Sequence, residues 1–309
     1  MKKYIPLVCA VMLVTGMVAT SEISGEKEIL FPEIAAISVG AFVAPKFAWN
    51  TSLLRMFLLL ISSAVIGTLL VLIPIPFVMQ MCLAFLIASV ILMYSRTTFA
   101  PMISAIVLPV MMHSTSIVYP ISALVLSAVV VAMRKILERC DLVQPAEFHP
   151  DSLPNEHQMT DMLLRWLLGC AVILLAIWEN CKMMVAPPLL VAYTEFWKPN
   201  SGAQRQPLKV NLLVAFCAIS GAILRLTALH MGCYQFLASG VTILLVLLLM
   251  KKINLFIPPA GALAILAFLI PENQLLFYPV QIMVGTAVFT GISLIHGKFF
   301  RKIGAVPEK

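Results

Sequence analysis

The chain has little charge for its length. Only 11% of its 309 residues are charged, Asp and Glu together number 14, and 61% of the residues are hydrophobic. The mean hydropathy is +1.01. A soluble protein of this size could not bury so much apolar surface, so the composition excludes that class and predicts an all-α polytopic protein in a lipid bilayer. The net charge of +7 is typical of basic loops kept on the inner side of a membrane, and we predict no nucleic-acid partner.

The sequence also lacks the motifs of the common catalytic classes. It has no HExxH, no GxSxG, no Walker loop and no paired polar residues for chemistry on lipid-linked substrates. The seven cysteines form no CxxC pair, which favours a packing role. His149, Asp151, Glu156 and His157 lie close together, but in a proline-containing linker that does not hold ligands in register. We therefore predict no enzyme activity, no catalytic residue, no metal site and no cofactor.

What the chain has instead is a series of twelve apolar segments. A bilayer span needs about 20 residues, and the second, fifth, eighth and eleventh segments are shorter than that. Short segments either cross the membrane or fold back as re-entrant hairpins. The segments cover residues 5–20, 32–45, 52–73, 77–94, 99–112, 117–133, 162–178, 187–197, 210–229, 234–250, 256–271 and 276–295.

Basic residues distinguish between these two topologies, because Lys and Arg accumulate in cytoplasmic loops. If all twelve segments cross and the N-terminus is inside, every Lys and Arg except Lys27, Lys182 and Arg225 falls on the inner side. Re-entrant second and eighth segments would move five further basic residues outward. We therefore predict twelve crossings with both termini cytoplasmic, in a cell (inner) membrane or, as the other possibility, a plastid envelope.

The first apolar segment resembles a signal peptide, because Lys2 and Lys3 precede it. Its cleavage region is weak and its counterpart recurs later in the chain, so we predict an uncleaved first span. The predicted organisation is a first six-helix repeat over 1–137, a cytoplasmic linker over 138–161, a second six-helix repeat over 162–300 and a basic cytoplasmic tail over 301–309.

The two halves of the chain repeat one another. The fifth segments both open on proline, in "FAPMISAIVLP" and "FIPPAGALAILAFLIP". This pattern predicts a tandem duplication. Because each unit has six helices, an even number, the repeats are expected to be parallel about an axis along the membrane normal. At a constant offset of 154 residues, the aligned pairs are Pro45 with Pro199, Arg55 with Lys209, and Gly67 with Gly221.

Motifs in the second half resemble a known family. "PPLLVAYTEFWKP", followed by a helix and then "IPPAGALAIL", is similar to the HPP family of integral membrane proteins, which is named for a His-Pro-Pro motif that continues Ala-Gly-Ala. Residues 258–262 match this motif, Ile257 stands at the histidine position, and the first repeat keeps only Pro101 of the proline pair. "FPEIAAISVGAFVAP" and "LLRMFLLLISSAVIGTLL" resemble the membrane half of fusaric-acid-resistance and aromatic-acid-exporter proteins. The resemblance implies a transporter of small anions such as nitrite.

Prolines mark the starts of the short segments. Pro258 and Pro259 suit a first helical turn, and Gly261 lets another helix approach closely. A helix that begins inside the membrane is expected to point N–H groups and a partial positive charge into a cavity, where an anion could bind. The four short helices would then line a central path that includes Pro101. The alternative is tight packing in which the prolines only mark helix ends.

Three ionisable residues in the apolar segments are further candidates, since such residues are rare in membranes. Glu195, beside Tyr193 and Thr194, either binds a proton or cationic group for coupling or lies at the interface. Glu33 follows a proline and either lines the path or only complements the helix dipole. Arg225 either snorkels outward, pairs with an acidic residue at the outer side, or attracts anions there.

These features predict a secondary transporter or exporter of a small organic or inorganic anion, with its path at the interface of the two repeats. The alternative is a non-transporting membrane anchor or assembly subunit whose linker docks a partner protein. A homo-oligomer is compatible with either function.

Overall fold

Helices account for all the regular secondary structure of the computed structural model, which describes residues 2–198 and 201–303. The predicted all-α fold is confirmed. The second of the α-helices continues as a π-helix over Val39–Val43. The α-helices in the described residues are α1 Ile5–Ser24, α2 Glu33–Ser38, α3 Leu53–Val71, α4 Phe77–Tyr94, α5 Pro101–Met112, α6 Val118–Arg139, α7 Glu156–Trp178, α8 Pro187–Trp197, α9 Gly202–Arg205, α10 Pro207–Met231, α11 Gln235–Ile253, α12 Pro258–Leu266 and α13 Tyr278–Ile303.

Eight of the described helices are long and apolar enough to span a membrane, namely α1, α3, α4, α6, α7, α10, α11 and α13. Each buries only 28% to 50% of its most apolar window inside the molecule. The remaining surface carries exposed large hydrophobic side chains such as Leu58, Leu174 and Leu248. A soluble protein would not expose so much leucine, so the structure supports a multi-pass membrane protein with these faces toward lipid.

Four shorter helices, α2, α5, α8 and α12, are instead buried inside the bundle. All residues of α2 and α12 are buried, and α8 is buried except at Glu195. The structure shortens the predicted segment 256–271 to Pro258–Leu266, because the prolines set its start and the chain turns before Pro271. At a rise of about 1.5 Å per residue, such a helix covers only about half of a 30 Å bilayer core.

The connection between the two halves is shorter than the predicted linker 138–161. Helix α6 continues to Arg139 and α7 begins at Glu156, because Asn155 and Gln158 form a capping box at the start of α7. The connection is held against the first half: Asn50 Nδ2 donates to His149 O over 2.6 Å. Of the sequence features discussed above, Pro199 and the tail residues 304–309 lie outside the described residues.

The long helices surround the short ones in pairs. Helices α3 and α4 pack on α5, and α10 and α11 pack on α12. A Cβ atom at Gly67 of α3 would overlap Ile106 O of α5, and one at Gly221 of α10 would overlap Ala264 O of α12. Glycine at these two positions therefore lets each long helix contact the backbone of its short neighbour.

Candidate functional site: a ring of four short helices

The four short helices form a closed ring at the centre of the molecule. Helix α2 packs against α5 and α12, and α8 packs against the same two helices from the other side. Helices α1, α3, α4, α10, α11 and α13 enclose the ring. Buried backbone of this kind is stable in a membrane because the surrounding helices shield it from lipid.

The first turns of these four helices line one small cavity at the ring centre. Each helix contributes two positions three residues apart, which lie on one helical face. The cavity volume is about 10 Å³, close to the minimum that one water molecule needs. The ring is therefore closed in this conformation. The lining residues are Glu33 and Ala36 of α2, Pro101 and Ser104 of α5, Pro188 and Val191 of α8, and Pro259 and Ala262 of α12.

Glu33 is the charged candidate at this cavity. Its side chain is 1% exposed, and the Ser104 hydroxyl donates a hydrogen bond to Glu33 Oε1. The other carboxyl oxygen, Oε2, is buried and has no hydrogen-bond partner among the described residues. A buried carboxyl with one neutral donor is costly, so its presence at the ring centre indicates a specific role.

The first turns offer fewer N–H donors than the sequence led us to expect. Proline occupies the first position of α5 and the first two of α8 and α12, and proline has no N–H. The next N–H groups turn back on their own chain: Ala260 N donates to Ile257 O over 3.0 Å, and Leu189 N donates to Ala186 O over 2.7 Å. The expectation that free N–H groups would seat an anion here is therefore wrong for these positions, and the polar groups of the cavity are the Glu33 carboxyl and the Ser104 hydroxyl.

The other predicted residues of α8 lie nearer its C-terminal end. Glu195 Oε1 accepts a hydrogen bond of 3.0 Å from Trp49 Nε1, which joins α8 to the loop after α2. The Tyr193 hydroxyl donates to Arg165 O of α7 over 3.1 Å. Thr194 is fully buried and lines a larger cavity beside α8. These residues thus connect the ring to its surroundings and do not reach the central cavity.

That larger cavity, which we call the polar cavity, has a volume of about 490 Å³. Asp161 of α7 links its walls: Trp197 Nε1 donates to Oδ2 over 2.7 Å, and His296 Nε2 lies 2.8 Å from Oδ1. The His296 ring also stacks on Trp197 with 3.8 Å between centroids. Helices α7, α8 and α13 are therefore joined by one polar cluster. The other ionisable residues that line the polar cavity are Asp151, His157, Arg165 and Lys198.

A second cavity, of about 720 Å³, opens at the same end of the bundle. Arg134, Asp141 and Lys251 line it, together with Phe42 at the end of the π-helix. Residues 141–145 of the connection between the halves border this cavity, and Asp151 borders the polar cavity. The connection thus runs between two cavities that each contain basic side chains.

Arg225 is placed inside the structure and not at an outer vestibule. It is 8% exposed, and its Nη1 donates to Ala267 O and Ile270 O, just beyond the end of α12. Outward snorkelling, one of the interpretations that the sequence left open, is wrong, because the side chain satisfies the carbonyl oxygens that the short helix leaves unpaired. Arg134 has the same role at the π-helix, where Nη1 donates to Ala41 O.

The remaining predicted residues belong to the ring. Pro101 and Pro259 line the central cavity, and Pro258 starts α12 next to it. A Cβ atom on Gly261 would lie 3.0 Å from Val39 Cγ2 and 3.3 Å from Ala35 O, so this glycine allows the contact between α12 and α2. The sequence reasoning missed Ser104, although its spacing of three from Pro101 matches that of Ala262 from Pro259.

No protein-family model, curated protein or solved structure matches the chain. The resemblance to the HPP family therefore rests on the motif residues themselves, of which Pro258, Pro259 and Gly261 lie in the ring.

Proposed function

We propose that the protein is a secondary transporter of a small organic or inorganic anion, built from two parallel six-helix repeats, with its path through the ring of short helices. The observation that carries this proposal is the central cavity, where the first turns of α2, α5, α8 and α12 meet. Substrate sites of transporters commonly lie near the bilayer midplane between repeats and are formed by broken helices.

The packing supports the proposed duplication. The main helix contacts of the first half recur in the second when α1 to α6 are matched in order with α7, α8, α10, α11, α12 and α13. Helix α3 packs on α5 and α6, and its counterpart α10 packs on α12 and α13. Between the halves, α1 packs on α11, and the matching pair α7 and α4 also pack together. Tyrosines at equivalent positions also bond equivalent helices, since the Tyr119 hydroxyl donates to Ala105 O and the Tyr278 hydroxyl to Leu263 O. The cavity between the two sets of short helices then lies on the pseudo-twofold axis.

The same arrangement explains how short helices fit twelve crossings. Each short segment would cross as a half-helix joined to irregular chain or a 3-10 turn, such as Lys182–Val185 before α8, with its helical start at the ring. Backbone outside a helix is tolerated at membrane depth where protein covers it, and the enclosing long helices supply that cover. Twelve crossings then leave the two large cavities on the predicted cytoplasmic side.

The choice of an anion rests on the resemblance to the HPP family, because the charges that line the two cavities nearly balance. In the polar cavity, Arg165 and Lys198 are offset by Asp151 and Asp161. In the other cavity, Lys251 is offset by Asp141, and Arg134 is paired with Glu138. The cavities would admit the solute from the cytoplasmic side, and the closed ring would control its passage.

A flux assay tests the proposal. Purified protein in liposomes should move at least one of nitrite, nitrate, chloride or an aromatic acid down its gradient faster than protein-free vesicles do. Folded protein that moves none of these solutes in either direction would contradict the proposal. The alternative of an anchor subunit fits less well, because Asn50 and Arg96 hold the connection between the halves against the bundle. Co-purification of a stoichiometric partner would favour the anchor.

A further inference from the structure

The central cavity is not symmetric in its chemistry. With α2 aligned on α8 and α5 aligned on α12, Glu33 corresponds to Pro188, and Ser104 corresponds to Ala262. The first half thus supplies a carboxyl and a hydroxyl where the second half supplies apolar side chains. Close packing of the ring does not require Glu33 and Ser104, because the second half packs closely with apolar side chains at the corresponding positions.

The surroundings of Glu33 provide no countercharge. Beside Ser104, the first turns of α8 and α12 contribute only proline, valine and alanine to the cavity. From α1, Met17 accepts a hydrogen bond from Phe31 N, and from α6, Tyr119 packs edge-on against Phe31 with its hydroxyl committed to Ala105 O. Among the described residues, no cationic side chain forms an ion pair or hydrogen bond with Glu33. An ionised carboxylate in such a place would be strongly destabilised.

The size and lining of the cavity indicate that the cation bound there would be a proton and not a metal ion. Hard metal cations take six or more oxygen ligands. Among the residues that the structure describes, only Glu33 and Ser104 bring side-chain oxygen atoms to this cavity, and its volume is about 10 Å³. A proton needs only the carboxyl oxygen that has no partner.

We infer that Glu33 is the proton-binding site of the molecule, and that release of its proton when the ring opens couples proton movement to solute movement. In the closed ring the carboxyl is neutral and Ser104 holds its orientation. Opening would admit water, allow the carboxyl to lose its proton and place a negative charge on the path. The coupling rests on the proposed transport function, whereas the proton site does not.

Infrared spectroscopy tests the site without any transport assay. The protein in lipid at neutral pH should show the carbonyl stretch of a protonated carboxylic acid, and Glu33→Gln should lose this band. Ser104→Ala, a milder change, should shift the band because it removes the hydroxyl donor. The exposed Glu272→Gln should leave the band unchanged. A spectrum with no such band in the wild-type protein, or one that is the same in folded Glu33→Gln, would overturn the assignment.

Liposomes with a pH-sensitive dye test the coupling. A nitrite or nitrate gradient should drive proton movement through the wild-type protein, and Glu33→Gln should lower the number of protons that move per solute. Solute transport without proton movement in the wild type would overturn the coupling and leave the transport function intact. A band that depends on Glu33 in a protein that moves no solute would overturn both the coupling and the transport function, with the proton site still in place.

Discussion

At the residue scale, the fold depends on side chains that satisfy the ends of short helices. A short helix leaves carbonyl oxygens without intrahelical partners, and those beyond α12 belong to the buried residues Ala267 and Ile270. Arg225 bonds two such carbonyls beyond α12, and Arg134 bonds Ala41 O and Gln144 O near the end of the π-helix. Both buried arginines are thereby explained as structural residues, and Arg134 Nε also donates to Glu138 Oε1 over 2.8 Å.

Replacing Arg225 with methionine is therefore expected to destabilise the protein. The change leaves Ala267 O and Ile270 O buried without a donor, and each such group costs about 1–3 kcal/mol. The measurement is the thermal unfolding midpoint in mild detergent. The control is Lys252→Met, which removes an exposed cation at the end of α11. Equal midpoints for the two variants would show that Arg225 does not support α12.

At the element scale, close contact between long and short helices fixes the ring. Gly67 and Gly221 make similar contacts, because each faces a backbone carbonyl of a neighbouring short helix. An alanine at either position pushes the long helix away from the ring, so both positions are expected to be sensitive for the same reason.

Gly221→Ala is expected to cost about 1–3 kcal/mol, the usual range for overpacking. Gly291→Ala in α13 is the matched control, because a Cβ there meets nothing within 4 Å and alanine favours helix over glycine. Chemical unfolding of both variants measures the difference. A Gly221→Ala protein as stable as Gly291→Ala would mean that α10 and α12 are not packed as described.

The sequence predicted where the short helices of the ring begin, but not which of their side chains contact one another. Pro258, Pro259 and Pro101 marked the helix starts correctly, because a first turn has no intrahelical acceptor for the N–H that proline lacks. The pairing of Glu33 with Ser104 was not predictable, since 71 residues separate them and a single serine in an apolar helix has no distinctive pattern. The contacts of Arg225 were not predicted, because the sequence does not show that unpaired carbonyl oxygens of a neighbouring helix lie within its reach.

At the scale of the whole molecule, the predicted topology fixes the side of the membrane on which each loop lies. Twelve crossings with the N-terminus inside place the end of α6 in the cytoplasm and the loop between α10 and α11 outside. Two native cysteines lie at these points: Cys140 follows α6, Cys233 precedes α11, and both are exposed.

A membrane-impermeant maleimide applied to intact cells should therefore label Cys233 and not Cys140. Cys181, which is partly exposed, lies in another outer loop. In a Cys181→Ser background, Cys233→Ser should therefore abolish the labelling, and Cys140→Ser should leave it unchanged. Both cysteines should react after the membrane is permeabilised. Labelling of Cys140 from outside would contradict the topology that the basic residues predict.

Solute is proposed to pass through the ring when it opens, and a reversible bond between the neighbouring helices α2 and α12 tests this central claim most directly. A Cβ on Gly261 would lie 3.0 Å from Val39 Cγ2, so Val39→Cys combined with Gly261→Cys should form a disulfide on mild oxidation, which mass spectrometry can verify. The account predicts that anion flux into liposomes stops when this bond forms and returns on reduction, while both single variants are insensitive to oxidation. Undiminished flux through protein in which the bond has formed would contradict it.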